Sequence, residues 1–307
     1  MKKVSLPLLL LMALNASLHA QQLTLQEKLG YSKNTKLLII HADDLGMSHS
    51  ENAASIHAME KGSVNSASIM VPCPWFPDIA AYARTHPTAD LGLHLTLTSE
   101  WNFYKWDPVT DKSEVPGLVN KYGFLFQSVD SLHNRAKAGE VEKEIRAQIE
   151  RAKLFGIDVT HLDSHMGSVF GKPEFLEVYL KLGREYRLPV LLSKEFSAIP
   201  GFDKLLNEKD VLLDRIITAN PADFKIGMEN YYTNVLKSVQ PGVSIILLHA
   251  AYDNEEKRAA TIDHPDWGAA WRQADFNFFT SEKCKKLLKE QDIRLITWRE
   301  IRDKLLR

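Results

Sequence analysis

Two short stretches carry side chains whose types and spacing can do chemistry. Leu37-Leu38-Ile39-Ile40-His41-Ala42-Asp43-Asp44-Leu45-Gly46 is an apolar run that ends in two carboxylates and a glycine. Thr160-His161-Leu162-Asp163-Ser164-His165 sets His161, Asp163 and His165 at a spacing of two. One carboxylate and two imidazoles form a common ligand set for a divalent ion with open positions. Such an ion acidifies water and polarises a carbonyl, and a second carboxylate beside it can accept the water's proton. Asp43 and Asp44 offer one ligand and one base. This requires the chain to flare at the strand end, because successive side chains of a regular strand point to opposite faces. His161 and His165 lie roughly 13 Å apart on an extended strand. They reach one ion only if the chain turns between them; otherwise one is the ligand and its neighbours stand behind it.

The elements that position these residues follow from hydrophobic period and punctuation. Apolar runs predict strands over 36–41, 66–71, 188–193 and 243–249, the last ending at His249. Residues 90–98 alternate, with Leu91, Leu93, Leu95 and Leu97 on one face and Gly92, His94, Thr96 and Thr98 on the other. A helix capped by Ser48 or Ser50 runs to Lys61 and stops at Gly62. Further helices are expected over 78–85, 140–155, 173–186, 222–239, 281–290 and 299–306, with a strand over 293–297. Residues 99–135 and 250–275 read as long loops; a loop of the first length inside a compact domain is usually functional or partly disordered. Glu140 to Lys153 reads as a solvated helix face. Strands and helices alternate without a composition break, which predicts one α/β domain with mostly parallel strands. Asp44, His94, His165 and His249 all fall near strand ends, a placement that suits either a barrel or an open sheet.

The chain has 307 residues, 45% of them hydrophobic, and a formal net charge of −1. That content suffices for a sizeable core, and the balance leaves no basic footprint for nucleic acid. Lys2 and Lys3, the apolar run 6–14 and small Ala16, Ser17 and Ala20 resemble a secretory signal over 1–20. The run is short of the ~20 residues a membrane span needs. The expectation is therefore a secreted or periplasmic protein of residues 21–307, with no stable membrane insertion after cleavage. Cys73 and Cys284 are the only cysteines; they can pair only if the fold brings them together. Trp101 and Trp106 sit in an aromatic run just after the His94 strand, where they either stack on sugar rings or pack a loop. Singly each signal is weak, since Asp-Asp-Leu-Gly also makes a turn with a helix cap. Their joint placement at strand ends carries the reading.

His41-Ala42-Asp43-Asp44-Leu45-Gly46, Gly92-Leu93-His94-Leu95-Thr96-Leu97-Thr98 and Thr160-His161-Leu162-Asp163-Ser164-His165 occur in the order found in YdjC-like carbohydrate deacetylases, which include the chitooligosaccharide deacetylases. The sequence resembles that family from about Lys36 to the C-terminus. The resemblance implies a distorted (β/α) barrel and metal-dependent hydrolysis of the acetyl group of an N-acetylated saccharide. By motif match Asp44, His94 and His165 would hold one divalent ion, Mg or Zn. Asp43 would be the general base, and His249 would protonate the leaving amine or stabilise the tetrahedral intermediate. His161 and Asp163 would support the ligands from behind, and Arg272 resembles a later family arginine. Two departures fall outside these positions. Met166-Gly167-Ser168 stands where many members have further histidines, and Ala250 follows the late histidine where the family often has proline. They bear on the substrate, which loops at the mouth select. An esterase for O-acetyl sugars, or a binding protein that has lost catalysis, would present the same fold.

Overall fold

The computed structural model describes residues 23–307; the expected signal segment lies outside them. Seven parallel strands form one sheet. They are β1 (Lys36–Leu45), β2 (Ser66–Ile69), β3 (Leu91–Leu95), β4 (Leu162–Ser164), β5 (Arg215–Thr218), β6 (Gly242–Leu248) and β7 (Ile293–Leu295). Their order is β4-β3-β2-β1-β6-β5, and β7 pairs with the first residues of β1. Bridges from Leu162 to Val190 and from Ser193 to Leu213 carry the ring from β4 round to β5. The expected strand at 188–193 is thus present as two isolated bridges, and the result is a distorted (β/α) barrel of a single α/β domain.

The period of two along each strand sorts side chains into two layers. On β1, Leu38, Ile40 and Ala42 pack outward under the helices, while Leu37 and Ile39 join a second cluster with Val243, Ile245, Leu191, Leu213 and Trp298. That inner cluster fills the barrel's lower half. Above it the inward positions turn polar, with His41 and Asp43 on β1, Ser66 and Ser68 on β2, His94 on β3 and Asp163 on β4. All are buried. Such groups cost free energy inside a protein unless they are paired, so the polar half of the interior identifies where function sits.

Several expected elements differ. β1 continues through both aspartates to Leu45, and its pairing with β2 shifts register between Ala42 and Leu45. The helix expected over 222–239 is two helices, Pro221–Ile226 and Met228–Ser238, broken at Gly227, whose φ is +105°. The expected loop 250–275 contains helix Glu255–Ala260 and most of helix Ala269–Phe279. Strand β5, inside a stretch of mixed pattern, carries no sequence signal strong enough to place it. The helix Ala138–Leu154 is not solvated all round. Glu144 is buried and accepts from the Val109 and Thr110 amides, and Gln148 exchanges two hydrogen bonds with the Thr96 backbone. These bonds pin the long loop after β3 to the barrel. Both cysteines are buried and free. No helix among the described residues is long and apolar enough to cross a membrane.

Candidate metal centre

Asp43 and Asp44 both reach the interior because the backbone flares where the sequence requires it. Asp44 has φ +68°, in the left-handed region. Aspartate visits this region more readily than most residues, but at a cost that functional sites tend to carry. Gly46 follows at φ +92°, and a Cβ there would lie 3.0 Å from the Met70 carbonyl oxygen. The Gly46 amide donates to Asn52 Oδ1 at 2.6 Å. The turn thus needs a glycine at 46 and tolerates the aspartate at 44.

His165 reaches the same place because the chain turns directly after β4. Residues His165–Gly167 form a 3-10 turn with Met166 at φ +52°. His161 and His165 therefore part. His161 stays low in the barrel, edge-on to His41 and stacked on Trp298, whereas His165 comes up to Asp44.

Asp44 Oδ1 lies 3.3 Å from His94 Nε2 and 3.4 Å from His165 Nδ1. The three ligand atoms fall within 4.8 Å of one another. Each imidazole is oriented by a carboxylate on its other nitrogen. Asp163 Oδ1 is 2.7 Å from His94 Nδ1, and Glu100 Oε2 is 2.9 Å from His165 Nε2. That leaves His94 Nε2 and His165 Nδ1 free to face Asp44, the arrangement that metal-binding histidines commonly show. Asp44 Oδ1 itself is buried with no hydrogen-bond partner, while Asp44 Oδ2 sits 2.8 Å from Arg272 Nη1. An orphaned carboxylate oxygen between two oriented ring nitrogens is what a divalent ion would satisfy. The residues fit a metal.

Charge in the cluster follows from burial and proximity. Burial alone would raise the Asp44 carboxyl, but Arg272, His165 and His94 outweigh it and hold the group well below the usual carboxylate range. Burial likewise opposes charge on His94 and His165. Asp163 and Asp43 beside the first, and Glu100 and Asp44 beside the second, overcome it, raising His94 well above its ordinary value and His165 to about 9. A bound cation would take the place of those protons, since it supplies the positive charge itself.

The other residues singled out in the sequence lie at various places around this cluster. Asp43 Oδ2 faces His249 Nε2 at 3.8 Å across the mouth. Burial lowers His249 to about 4, so it is neutral at pH 7. Its amide donates to Asp275 Oδ2 at 3.0 Å, and Asp275 also accepts from the Tyr232 hydroxyl at 2.8 Å. Arg272 contacts Asp44 from the outside. Trp101 and Trp106, expected either to stack on sugar or to pack the loop, are 3% and 2% exposed. Trp106 donates from Nε1 to the Thr98 carbonyl at 2.8 Å, and Trp101 stands edge-on to His264. They pack the loop and offer no open face to a sugar.

Four participants escaped sequence reasoning. His41 lies inside the first motif. Its Nε2 is 3.0 Å from Asp163 Oδ2 and 3.1 Å from Asp43 Oδ1, and these carboxylates raise it to about 9 against the opposing effect of burial. Its signal was available, since it shares strand parity with Asp43. Glu51, Glu100 and Lys257 gave none. Each is a charged residue on a helix or loop, where solvent exposure is the ordinary state.

Fold and site together define an α/β-barrel protein with an Asp–His–His centre at the C-terminal mouth and a second carboxylate beside it. The sequence model described as YdjC-like protein matches residues 37–290, and the chain belongs to that family. It is 33% identical to a carbohydrate deacetylase of Thermus thermophilus over 291 residues, covering 92% of this chain and 99% of the relative. It is 34% identical to a chitooligosaccharide deacetylase of Serratia marcescens over 166 residues, covering 52% and 60% of the two chains. A crystal structure from Enterococcus faecalis, whose description proposes cellobiose-phosphate cleavage, superposes with a TM-score of 0.73. The two are 26% identical over 87% of this chain and 99% of that one.

Proposed function

We propose that this chain is a metal-dependent deacetylase that hydrolyses the acetamido group of an N-acetylated saccharide, with residues 21–307 forming one exported catalytic domain behind a cleaved leader. The observation that carries the reading is the unpartnered Asp44 Oδ1 set between His94 Nε2 and His165 Nδ1. Asp44, His94 and His165 would hold one divalent ion, magnesium or zinc. Such an ion supplies Lewis-acid polarisation of the acetyl carbonyl and a more acidic water.

The protein's own groups do the rest. Asp163 and Glu100 fix the two imidazoles, so that the ligand nitrogens need not reorganise. Asp43, with His41 on one oxygen and His249 across from the other, takes the proton of the attacking water. His249, neutral in the resting site, offers a hydrogen bond to the tetrahedral carbon's substituents without adding charge. The proton that the departing amine requires is then the one held at Asp43, which acts first as base and afterwards as acid. Export rests on the leader-like composition of residues 1–20. N-terminal sequencing of the protein recovered outside the cytoplasm should begin near residue 21.

The test is acetate release from a panel of N- and O-acetylated mono- and oligosaccharides, with and without a chelator. The expected result is release from N-acetylated sugars that a chelator abolishes and added Zn²⁺ or Mg²⁺ restores. Release confined to O-acetyl esters would make the protein an esterase. Saccharide binding without any release would make it a carbohydrate-binding protein.

A further inference from the structure

Four charged side chains with almost no solvent contact meet behind Asp44. Glu51 and Lys257 are fully buried, and Asp44 and Arg272 are each 2% exposed. Arg272 Nη1 lies 2.8 Å from Asp44 Oδ2 and also bonds Glu51 Oε1. The other oxygen of Glu51 accepts from Lys257 Nζ at 2.5 Å. Arg272 Nε donates to the Trp267 carbonyl at 2.6 Å. Trp101 covers the group, its ring 5.5 Å from the Arg272 guanidinium and 6.0 Å from the Lys257 ammonium. The set contains two carboxylates and two cations and is neutral as a whole. It draws on three helices, His49–Lys61, Glu255–Ala260 and Ala269–Phe279.

Stability alone does not account for such a set. Buried ion pairs often contribute less than apolar residues of the same volume, because desolvation offsets the Coulombic gain. Its geometry does have a specific consequence. Asp44 Oδ2 is held by Arg272, which turns Oδ1 toward His94 and His165 and leaves it without another partner. Arg272 is shared between Asp44 and Glu51. Without Lys257 on its far oxygen, Glu51 would compete for the guanidinium undiluted, and Asp44 would lose its hold. We propose that Glu51 and Lys257 are positioning residues of the metal centre, acting through Arg272 to fix the rotamer of Asp44. This inference rests on the reading of Asp44, His94 and His165 as the metal ligands.

Zn²⁺ affinity of the purified full chain, measured by competition with a chromophoric chelator and without substrate, tests it. Each variant is assayed at a temperature where circular dichroism shows it folded. Lys257→Met and Glu51→Gln should each weaken Zn²⁺ binding by about 10–100-fold, the usual cost of losing an outer support of a metal ligand. A role through net charge alone predicts opposite signs, since removing the lysine would tighten Zn²⁺ and removing the carboxylate would loosen it; that result overturns the proposal. A lowered melting temperature with unchanged Zn²⁺ affinity overturns it too. If a single variant fails to fold, the double variant Glu51→Gln with Lys257→Met keeps the set neutral and leaves no buried charge unpaired. Positioning predicts weaker Zn²⁺ binding there, and unchanged binding would sink the idea. Wild type and His94→Ala separate the two readings. Zn²⁺ bound by the first and lost by the second establishes the centre. Zn²⁺ absent from wild type, or retained by His94→Ala, removes the metal reading and this inference with it.

Discussion

Asp43 and Asp44 are sequence neighbours of one type, and a single backbone angle separates their surroundings. At φ +68° the Asp44 carboxylate turns to His94, His165 and Arg272, while Asp43 keeps its strand orientation beside His41 and His249. Opposite losses should follow. Asp43→Asn should retain metal and lose about 10²–10⁴-fold in turnover, the usual size of a lost general base. Asp44→Asn should lose metal, because the amide brings no negative charge to the ligand set. Elemental analysis and turnover at saturating metal check both, and near-normal turnover in Asp43→Asn would place the base elsewhere. Asp44, His94 and His165 were legible in the sequence as candidate ligands because aspartate and histidine at strand ends are unusual enough to notice. The supports were not. Glu51 and Glu100 look like ordinary surface acids until the fold buries the one and turns the other onto His165.

Strand β3 shows how an element's pattern fixes function. Its alternation was legible, and it sends Leu91, Leu93 and Leu95 outward to the helices while Gly92 and His94 face the interior. The glycine makes room for the buried His161 ring, because a Cβ at position 92 would approach it to 2.4 Å. The loop that leaves β3 was less legible. Its tryptophans have the composition of a sugar platform, but composition carries no information on which way a ring faces. Glu144 and Gln148 on a distant helix tie this loop down, and the rings turn inward. Trp106→Ala should therefore destabilise the protein by about 3–5 kcal/mol, as large core truncations do. It should impair long and minimal acetylated substrates alike. Thermal melts and the KM for each substrate decide the matter. A KM effect confined to oligosaccharides, with an unchanged melting temperature, would return the ring to the binding site.

At the scale of the molecule, the alternation of strands and helices made the α/β class legible, and apolar runs located β1 and β6. The closure of the barrel was not legible. The segment 188–193 read as a strand but joins the ring through two bridges only, and β5, short and partly exposed, has no run long enough to read as one. The C-terminus supplies a second tie of the same hidden kind. The amides of Trp298 and Arg299 donate to Asp90, just before β3. Arg302, 1% exposed, places Nη1 2.8 Å from Asp158 Oδ1 and 2.7 Å from the Val159 carbonyl, just before β4. Partial burial would raise the Asp158 carboxyl, but hydrogen bonds from Arg302 and Arg299 outweigh it and lower the group below its ordinary value. A carboxyl lowered on folding stabilises the native state above its unfolded pKa, about 4 for aspartate. That contribution fades as pH falls through the folded value. Asp158→Asn should consequently melt earlier than wild type at pH 7, and the gap between them should narrow as the buffer is taken below about pH 4. Melting curves of both proteins across that range check it. A gap that stays constant with pH would mean that Asp158 holds the C-terminal helix by shape and hydrogen bonding, without any contribution from its charge.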